Sequence, residues 1–193
     1  SHLRQKNPLV TKDLQEEIID GIRYVWLKGN EYGSSIARIK NIASYVWKLR
    51  INAQKIAKRY QPDLVIASST YPMDKVPAHK IAKLAGAKHC YEAHDIWPLS
   101  PMVIGGYSKW HPFIMVMQWA ENFACRESDK VISLLWNSEI HYKECGLSEG
   151  RFACVPNGYA ADEWDDKATE LSLPDEHEAL FSSLKDNLVV GFA

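Results

Sequence analysis

Short apolar runs alternate with longer stretches of helical spacing along most of the chain, and this alternation constrains the fold more than any other feature of the sequence. The apolar runs have the length of buried strands, and the stretches between them repeat apolar residues every three or four positions. The predicted strands span 22–27, 64–69, 88–93, 131–135 and 152–155. The predicted helices span about 34–60, 76–84, 113–127 and 138–145, with a loop over 96–109. Such strand–helix–strand repeats predict an α/β fold with a Rossmann-like, doubly wound parallel sheet.

Composition and charge exclude several classes of protein. The formal net charge of −1 is not that of an obligate nucleic-acid binder, which usually carries a strong basic excess, so we expect no nucleic-acid partner. No apolar stretch is long enough to cross a bilayer. The cysteines stand far apart and form no CxxC pair, at Cys90, Cys125, Cys145 and Cys154. This usage is typical of a reduced cytoplasmic protein, and we expect no metal site.

The predicted helix over 34–60 contains seven lysine or arginine residues and no acid. One interpretation is a surface that binds anionic lipid at the inner face of the cell membrane, where each basic residue contributes on the order of 1 kcal/mol. The residues expected to face the membrane are Arg38, Lys40, Lys48 and Arg50. The other interpretation is an ordinary solvated helix face with Trp47 in the core, and the sequence does not decide between the two.

The composition changes after Gly158. Residues 159–187 are rich in aspartate and glutamate and contain only two lysines, which indicates a solvated connector. Residues 188–193 resemble the start of a new buried strand, and a strand cannot bury itself alone. We therefore expect a domain over 1–160, an acidic connector over 161–187 and the truncated start of a second domain over 188–193.

Ligands of a parallel α/β sheet collect outside the carboxyl ends of its strands. The segment Glu92-Ala93-His94-Asp95 places an imidazole between two carboxylates at one such end. In an extended backbone Glu92 and His94 share one face, and Asp95 points to the other unless the loop has begun. His94 or Asp95 can orient or deprotonate a substrate hydroxyl, or Asp95 can fix the imidazole tautomer. These roles stay open, as does the alternative of a hydrogen-bonded structural histidine.

The run from Glu92 to Ser100, with Trp97 and Pro98 after Asp95, resembles a motif of the family 4 retaining glycosyltransferases, in particular the bacterial O-antigen and capsule sugar transferases. Further segments resemble the same family in the same order along the chain. They are 21–26 with 32–38, 62–69, 121–132 and Val155-Pro156-Asn157-Gly158. Together these segments cover most of the chain.

The resemblance implies the N-terminal, acceptor-side domain of a GT-B glycosyltransferase. Such an enzyme moves a sugar from a nucleotide-diphosphate donor to a lipid-linked (polyprenyl or glycolipid) or saccharide acceptor, with retention, in cell-surface polysaccharide synthesis. It implies no cofactor and no catalytic metal. The opening strand–helix–strand unit of the family has no counterpart in the sequence, and its donor-binding domain has none beyond a first strand over 188–193, so we expect a fragment that is inactive alone.

The site residues that the resemblance implies lie at the predicted strand ends. His94 and Asp95 are expected to be catalytic. The acceptor-binding residues are expected to be Glu92, Trp97 and Ser69, and the cleft or hinge residues Asn157 and Gly158. Trp97 either stacks on a sugar or anchors its own loop, and we prefer anchoring.

Three alternatives differ in chemistry. The chain can be a non-catalytic acceptor- or membrane-binding half of a transferase that two chains form. A sugar-nucleotide epimerase of the GT-B fold is less consistent with the Trp97-Pro98 loop and with the order of the segments. A Rossmann dehydrogenase is disfavoured because no GxGxxG motif follows a first strand.

Overall fold

The computed structural model describes residues 9–29, 35–68 and 73–158, together with Glu178 and Ser182. The chain divides into two compact units, residues 1–156 and 157–193. Of the second unit, the described residues are the exposed Asn157 and Gly158 and the helical Glu178 and Ser182. The strand expected over 188–193 and nearly all of the acidic connector therefore lie outside the described residues, and the domain limits stay a prediction.

The helices and strands of the first unit follow the predicted order closely. The strands are β1 (Gln15–Ile19), β2 (Ile22–Trp26), β3 (Leu64–Ala67), β4 (Lys88–Ala93), β5 (Lys130–Ser133) and β6 (Phe152–Cys154). The helices are α1 (Ser35–Tyr60), α2 (Lys75–Ala85), α3 (Leu99–Val103), α4 (Pro112–Glu127) and α5 (Ser138–Glu144). Helix α2 ends as predicted at Gly86, whose φ of +71° is a left-handed conformation that glycine adopts without strain.

Strands β3, β4, β5 and β6 form a parallel sheet in that order. Helices occupy each crossover between consecutive strands. This arrangement confirms the predicted α/β fold with a parallel sheet. Because the strands run in the same direction, their carboxyl ends meet at one edge, which we call the rim and which carries Ser68, His94, Asp95 and Leu135.

One face of the sheet is buried against the helices. The main core cluster contains Tyr91 and Val131 from the strands, packed with residues of α4, α5 and the turn after α5; its further members are Ala93, Ala124, Cys125, Tyr142, Cys145 and Leu147. Full burial of a side chain such as that of Val131 contributes about 1.5–3 kcal/mol to stability. A second cluster joins α1 to α2. On the opposite face of β3, Leu64 and Ile66 are each 48% exposed.

Strand β1 was not predicted, and it pairs with β2 in an antiparallel hairpin. Asp20 and Gly21 form the two-residue turn between them, with φ values of +52° and +79°. Two positive φ values in succession define the type I′ turn, whose twist suits a hairpin and which favours an Asp-Gly pair. The hairpin is attached to α1 by ion pairs, one of which joins Glu16 to Arg59 at 2.8 Å.

The prediction of a continuous loop over 96–109 is wrong for five residues, which form the short helix α3. Pro98 and Pro101 do not prevent this helix, because proline is compatible with the first turn, where the backbone N–H groups have no intrahelical partner. Ser100 supports this turn because its hydroxyl donates to the carbonyl oxygen of Ile96 at 3.0 Å.

One of the two interpretations of α1 placed Trp47 in the core, and that placement is wrong, since this residue is 63% exposed. Helix α1 instead packs on α2 through the small residues Ala53 and Ala57, which allow the two helices to approach closely. Trp47 lies outside that contact. In the part of the chain that the structure describes, no helix combines the length and the hydropathy needed to cross a membrane.

Candidate functional site

The rim brings together three of the predicted site residues and one neighbour. Glu92 is the penultimate residue of β4, His94 and Asp95 follow that strand directly, and Ser68 follows β3. The parallel register of β3 and β4 ends at Ala67 with Tyr91, so Ser68 follows level with Glu92, and its hydroxyl reaches His94, two residues further along. The parallel sheet therefore creates this group from segments that are 26 residues apart in the sequence.

His94 is the centre of this group. Its Nε2 atom lies 3.0 Å from the hydroxyl of Ser68 and 3.7 Å from Oε2 of Glu92. The predicted alternation along the strand thus holds, since Glu92 and His94 meet on one side. When Nε2 carries the proton and donates to the Ser68 hydroxyl, with the Glu92 carboxylate as a nearby charge, the other ring nitrogen, Nδ1, is an acceptor. The side chain of His94 is 43% exposed, so a substrate can approach it.

Asp95 is in a different environment. It is exposed and makes no hydrogen bond or ion pair with the residues that the structure describes. A carboxylate without fixed partners can accept a hydrogen bond from a hydroxyl group that enters the site. Asp95 therefore does not fix the tautomer of His94 in this conformation, and Glu92 is the carboxylate closest to the imidazole.

A pocket of about 280 Å³ opens beside His94 and Asp95. Its walls are mostly apolar and include Leu99, Ile104 and Tyr142; the further lining residues are Ala93, Ile96, Ser100, Val103, Ser133 and Leu135. Ser133 is fixed there by a hydrogen bond of 2.8 Å from Ser138. Burial raises the pKa of Tyr142 above its usual value, so this phenol stays protonated at neutral pH.

The remaining predicted site residues are Trp97, Ser69, Asn157 and Gly158. Trp97 is half-buried, and its indole Nε1 has no hydrogen-bond partner among the described residues. Asn157 and Gly158 are exposed and belong to the second unit. Ser69 lies outside the described residues. The rim residues do not form a group of three converging metal ligands in the described part of the chain.

Sequence reasoning missed an exposed apolar surface next to the pocket. It runs from α3 into the first half of α4, and we call it the apolar apron. Its exposed members are Leu99, Val103, Ile104, Tyr107, Trp110, Phe113, Met115, Val116 and Trp119. The signal was present in the sequence, because residues 96–120 contain no aspartate or glutamate and only one lysine. Exposed apolar surfaces of this extent mark sites of interaction with other molecules.

The basic residues of α1 divide into two groups. Lys48 donates to Asp13 at 2.9 Å and to the carbonyl oxygen of Lys28 at 2.6 Å, so its ammonium group helps to attach the hairpin. Arg38, Lys40 and Arg50 are exposed and form no ion pair with the described residues. Of the four residues expected to face a membrane, Lys48 is thus the one whose charged group binds other residues in the part of the chain that the structure describes.

The amino-acid sequence also matches the model of a known protein family. The family model described as Glycosyltransferase Family 4 matches residues 14–163. The chain belongs to glycosyltransferase family 4. This match covers the hairpin, α1, the parallel sheet and the rim, which confirms the resemblance carried by the segment from Glu92 to Ser100.

Solved structures of an Anabaena protein are also similar to the family 4 chain. Crystal structures of Anabaena Alr3699/HepE in complex with UDP-glucose, with UDP and glucose, and with UDP match at 17%, 18% and 18% identity. The matches cover 79%, 81% and 78% of this chain, with TM-scores of 0.44, 0.45 and 0.44. They cover 34%, 35% and 34% of the Anabaena protein, so the chain spans about a third of its length. A comparison with curated proteins finds no match.

Proposed function

We propose that this family 4 chain is the acceptor-side part of a glycosyltransferase, an enzyme that moves a sugar from a nucleotide-diphosphate donor to a hydroxyl group of a lipid-linked or saccharide acceptor. Residues 1–160 would form the acceptor domain, 161–187 the connector and 188–193 the start of the donor domain. Transfer would proceed with retention and serve cell-surface polysaccharide synthesis. The observation that carries this proposal is the group of Ser68, Glu92 and His94 at the rim of a family 4 domain.

The chemistry proposed for His94 follows from its contacts. Ser68 and Glu92 hold Nε2 of the imidazole, which leaves Nδ1 to accept a hydrogen bond from the acceptor hydroxyl and to take its proton as the new glycosidic bond forms. Asp95, exposed beside it, orients the same hydroxyl. The leaving nucleoside diphosphate gains negative charge in this step and needs cationic groups. We assign those groups to the donor domain and expect no cofactor and no catalytic metal.

The apolar apron supports a lipid-linked acceptor rather than a free sugar. Ile104, which is 87% exposed, belongs to both the apron and the pocket beside His94. A polyprenyl or acyl chain can lie along such a surface while its polar head reaches the rim. Tyr107, Trp110 and Trp119 add the aromatic side chains that favour the level of the lipid headgroups.

The exposed cations of α1 support the same proposal. Arg38, Lys40 and Arg50 can bind anionic lipid at about 1 kcal/mol each, an attraction that salt screens. We therefore propose a peripheral position at the cytoplasmic face of the membrane.

Sugar transfer by the complete gene product tests the enzymatic proposal. A panel of labelled nucleotide sugars is incubated with the protein and a membrane lipid extract, and label in the lipid phase is counted. We expect one donor to be used, and Asp95→Ala to reduce its transfer at least tenfold. Glu149→Ala is the matched control, because Glu149 is exposed in the turn before β6, at the opposite edge of the sheet. No transfer with any donor by the folded protein would favour a non-catalytic acceptor-binding half.

Vesicle binding tests the lipid proposal separately. The double change Val103→Ser and Ile104→Ser removes the centre of the apron, and we expect it to weaken binding to vesicles with anionic lipid at least tenfold. Ile140→Ser is the control, since Ile140 is 69% exposed but lies on α5 outside the apron. Equal binding of both variants and the parent protein would contradict the role of the apron.

A further inference from the structure

Three side chains with metal-binding atoms meet in the core below the rim. Glu121 lies on α4, His141 on α5, and Cys145 directly after α5. Oε2 of Glu121 lies 2.9 Å from Nε2 of His141 and 3.4 Å from Sγ of Cys145. The sulfur lies 3.6 Å from the same ring nitrogen. Among the described residues, these are the His, Cys, Asp and Glu side chains whose ligand atoms converge in a group of three.

The three separations match the edges of a tetrahedral zinc site. Zinc binds nitrogen and oxygen at about 2.0 Å and sulfur at about 2.3 Å, which places neighbouring ligand atoms about 3.3–3.5 Å apart. The observed values of 2.9, 3.4 and 3.6 Å lie around these lengths. One ion can therefore contact all three atoms after small movements of the side chains.

The environment of Glu121 favours an ion over a hydrogen-bond network alone. Glu121 is 1% exposed, and His141, Cys145 and Gln118 all approach its Oε2 atom. The other oxygen, Oε1, is buried without a hydrogen-bond partner among the described residues. A buried carboxylate with an unsatisfied oxygen is costly. The buried Lys75 ammonium already attracts this carboxylate, and a divalent cation would in addition balance the charges of its two anionic ligands, Glu121 and a Cys145 thiolate.

The helices supply the spacing that such a site needs. His141 and Cys145 are four residues apart at the end of α5 and therefore lie on the same side of it. Glu121 approaches from the facing helix α4. Sequence reasoning expected no metal because it looked for closely spaced cysteines, whereas this group combines a single cysteine with two other ligand types.

We propose that Glu121, His141 and Cys145 bind one zinc ion, with a water molecule as the fourth ligand on the side where His141 is partly exposed. Thiolate and imidazole ligands favour zinc over magnesium or calcium, which prefer oxygen. The ion is structural: it ties the end of α5 to α4 and so fixes Tyr142, the α5 residue that lines the pocket at the rim. This zinc site is independent of the function proposed above.

Metal titration of the chelator-treated protein tests this site. Cobalt is used as the spectroscopic probe because its bond to a thiolate produces a charge-transfer absorption band, and zinc is then added in competition. We expect one ion per chain and a rise in the melting temperature on zinc binding. Cys145→Ser should remove the thiolate band and weaken zinc binding at least about 100-fold. Cys154→Ser is the matched control, since this partly exposed cysteine lies on β6 outside the group.

Two results of this titration would overturn the proposal. One is binding of less than one zinc ion per chain by the parent protein, and the other is a thiolate band that persists in Cys145→Ser. Circular dichroism establishes that each variant is folded. If Cys145→Ser does not fold, His141→Gln, at a partly exposed position, is judged by the same 100-fold criterion.

Discussion

Two histidines lie at opposite ends of strand β4, and they have contrasting surroundings. His89, near the start of the strand, is 2% exposed, and its Nδ1 atom lies 3.2 Å from the hydroxyl of Ser128. His94, just after the end of the strand, is open to solvent, and its Nε2 atom lies 3.0 Å from the hydroxyl of Ser68. The same residue type with the same kind of partner thus occurs once inside the sheet's covered face and once at the rim.

The difference in burial between His89 and His94 determines which of the two histidines can contact a substrate. Burial and the neighbouring His79 lower the pKa of His89 to about 4, so this side chain stays neutral and inaccessible near pH 7. His94 has a carboxylate 3.7 Å away and a pocket beside it. We therefore propose a packing role for His89 and a role in the reaction for His94.

The largest effect on stability is expected at the buried end. His89→Ala removes a ring that packs edge-on against His79 and loses the contact with Ser128. We expect the free energy of unfolding to fall by about 3 kcal/mol, since a cavity and an unpaired hydroxyl group result. Urea denaturation measures the change. A decrease in the free energy of unfolding below about 0.5 kcal/mol would contradict the packing role of His89.

Stability should also depend on pH through the same residue. The unfolded state binds a proton at His89 below about pH 6.5, whereas the folded state does so only near pH 4. The free energy of unfolding should therefore fall as the pH decreases through this range, by up to about 2 kcal/mol between pH 6.5 and 5.

The neighbours of His89 modify this effect without reversing it. Burial also lowers the pKa of His79, which adds to the loss. Asp129 and Glu127 favour the protonated form of His89 but are outweighed by its burial. Denaturation of His89→Gln across the same pH range is the control, and its slope should be clearly smaller. An unchanged slope would show that another group titrates.

At the rim, the expected effect of removing a single neighbouring charge is smaller. Glu92→Gln keeps the shape of the side chain but removes the charge 3.7 Å from the imidazole. We expect a fall in kcat/KM of sugar transfer of about tenfold, roughly 1.4 kcal/mol, because the imidazolium that forms loses its counter-charge. Steady-state kinetics of the complete protein give the value, and unfolding should be unaffected. A rate equal to that of the parent would leave Ser68 as the residue that positions His94.

The smallest effect is expected for the stability of His94→Ala. This side chain is exposed and packs against few neighbours, so the free energy of unfolding should change by less than about 0.5 kcal/mol. Denaturation beside His89→Ala, under identical conditions, gives the comparison. A loss as large as that of His89→Ala would indicate that both histidines serve the fold.

Much of the fold was predictable because the pattern is local. The apolar run over 88–93 became β4 with the predicted bounds, and Gly86 ended α2 as its freedom at positive φ suggests. Strand β1 was missed because its residues alternate weakly, although the Asp20-Gly21 pair is a hairpin signal. Tertiary contacts, which the sequence does not display, decided the exposure of Trp47.

The candidate site was predictable in part for the same reason. The family motif singled out Glu92, His94 and Asp95, and the alternation along β4 placed the first two on one side. Ser68 joins them only because β3 and β4 are neighbours in register. The convergence of Glu121 with His141 likewise depends on the packing of α4 against α5, which no local pattern reveals.

We propose that His94 at the rim takes part in sugar transfer, and the transfer rate of His94→Ala in the complete protein is the decisive measurement. The rate is measured with the best donor of the panel and divided by the folded fraction, with His89→Ala treated in the same way. We expect His94→Ala to lose at least about 100-fold in kcat/KM, while the folded fraction of His89→Ala keeps nearly the parent rate. Transfer by His94→Ala at the parent rate would contradict a role of His94 in the reaction.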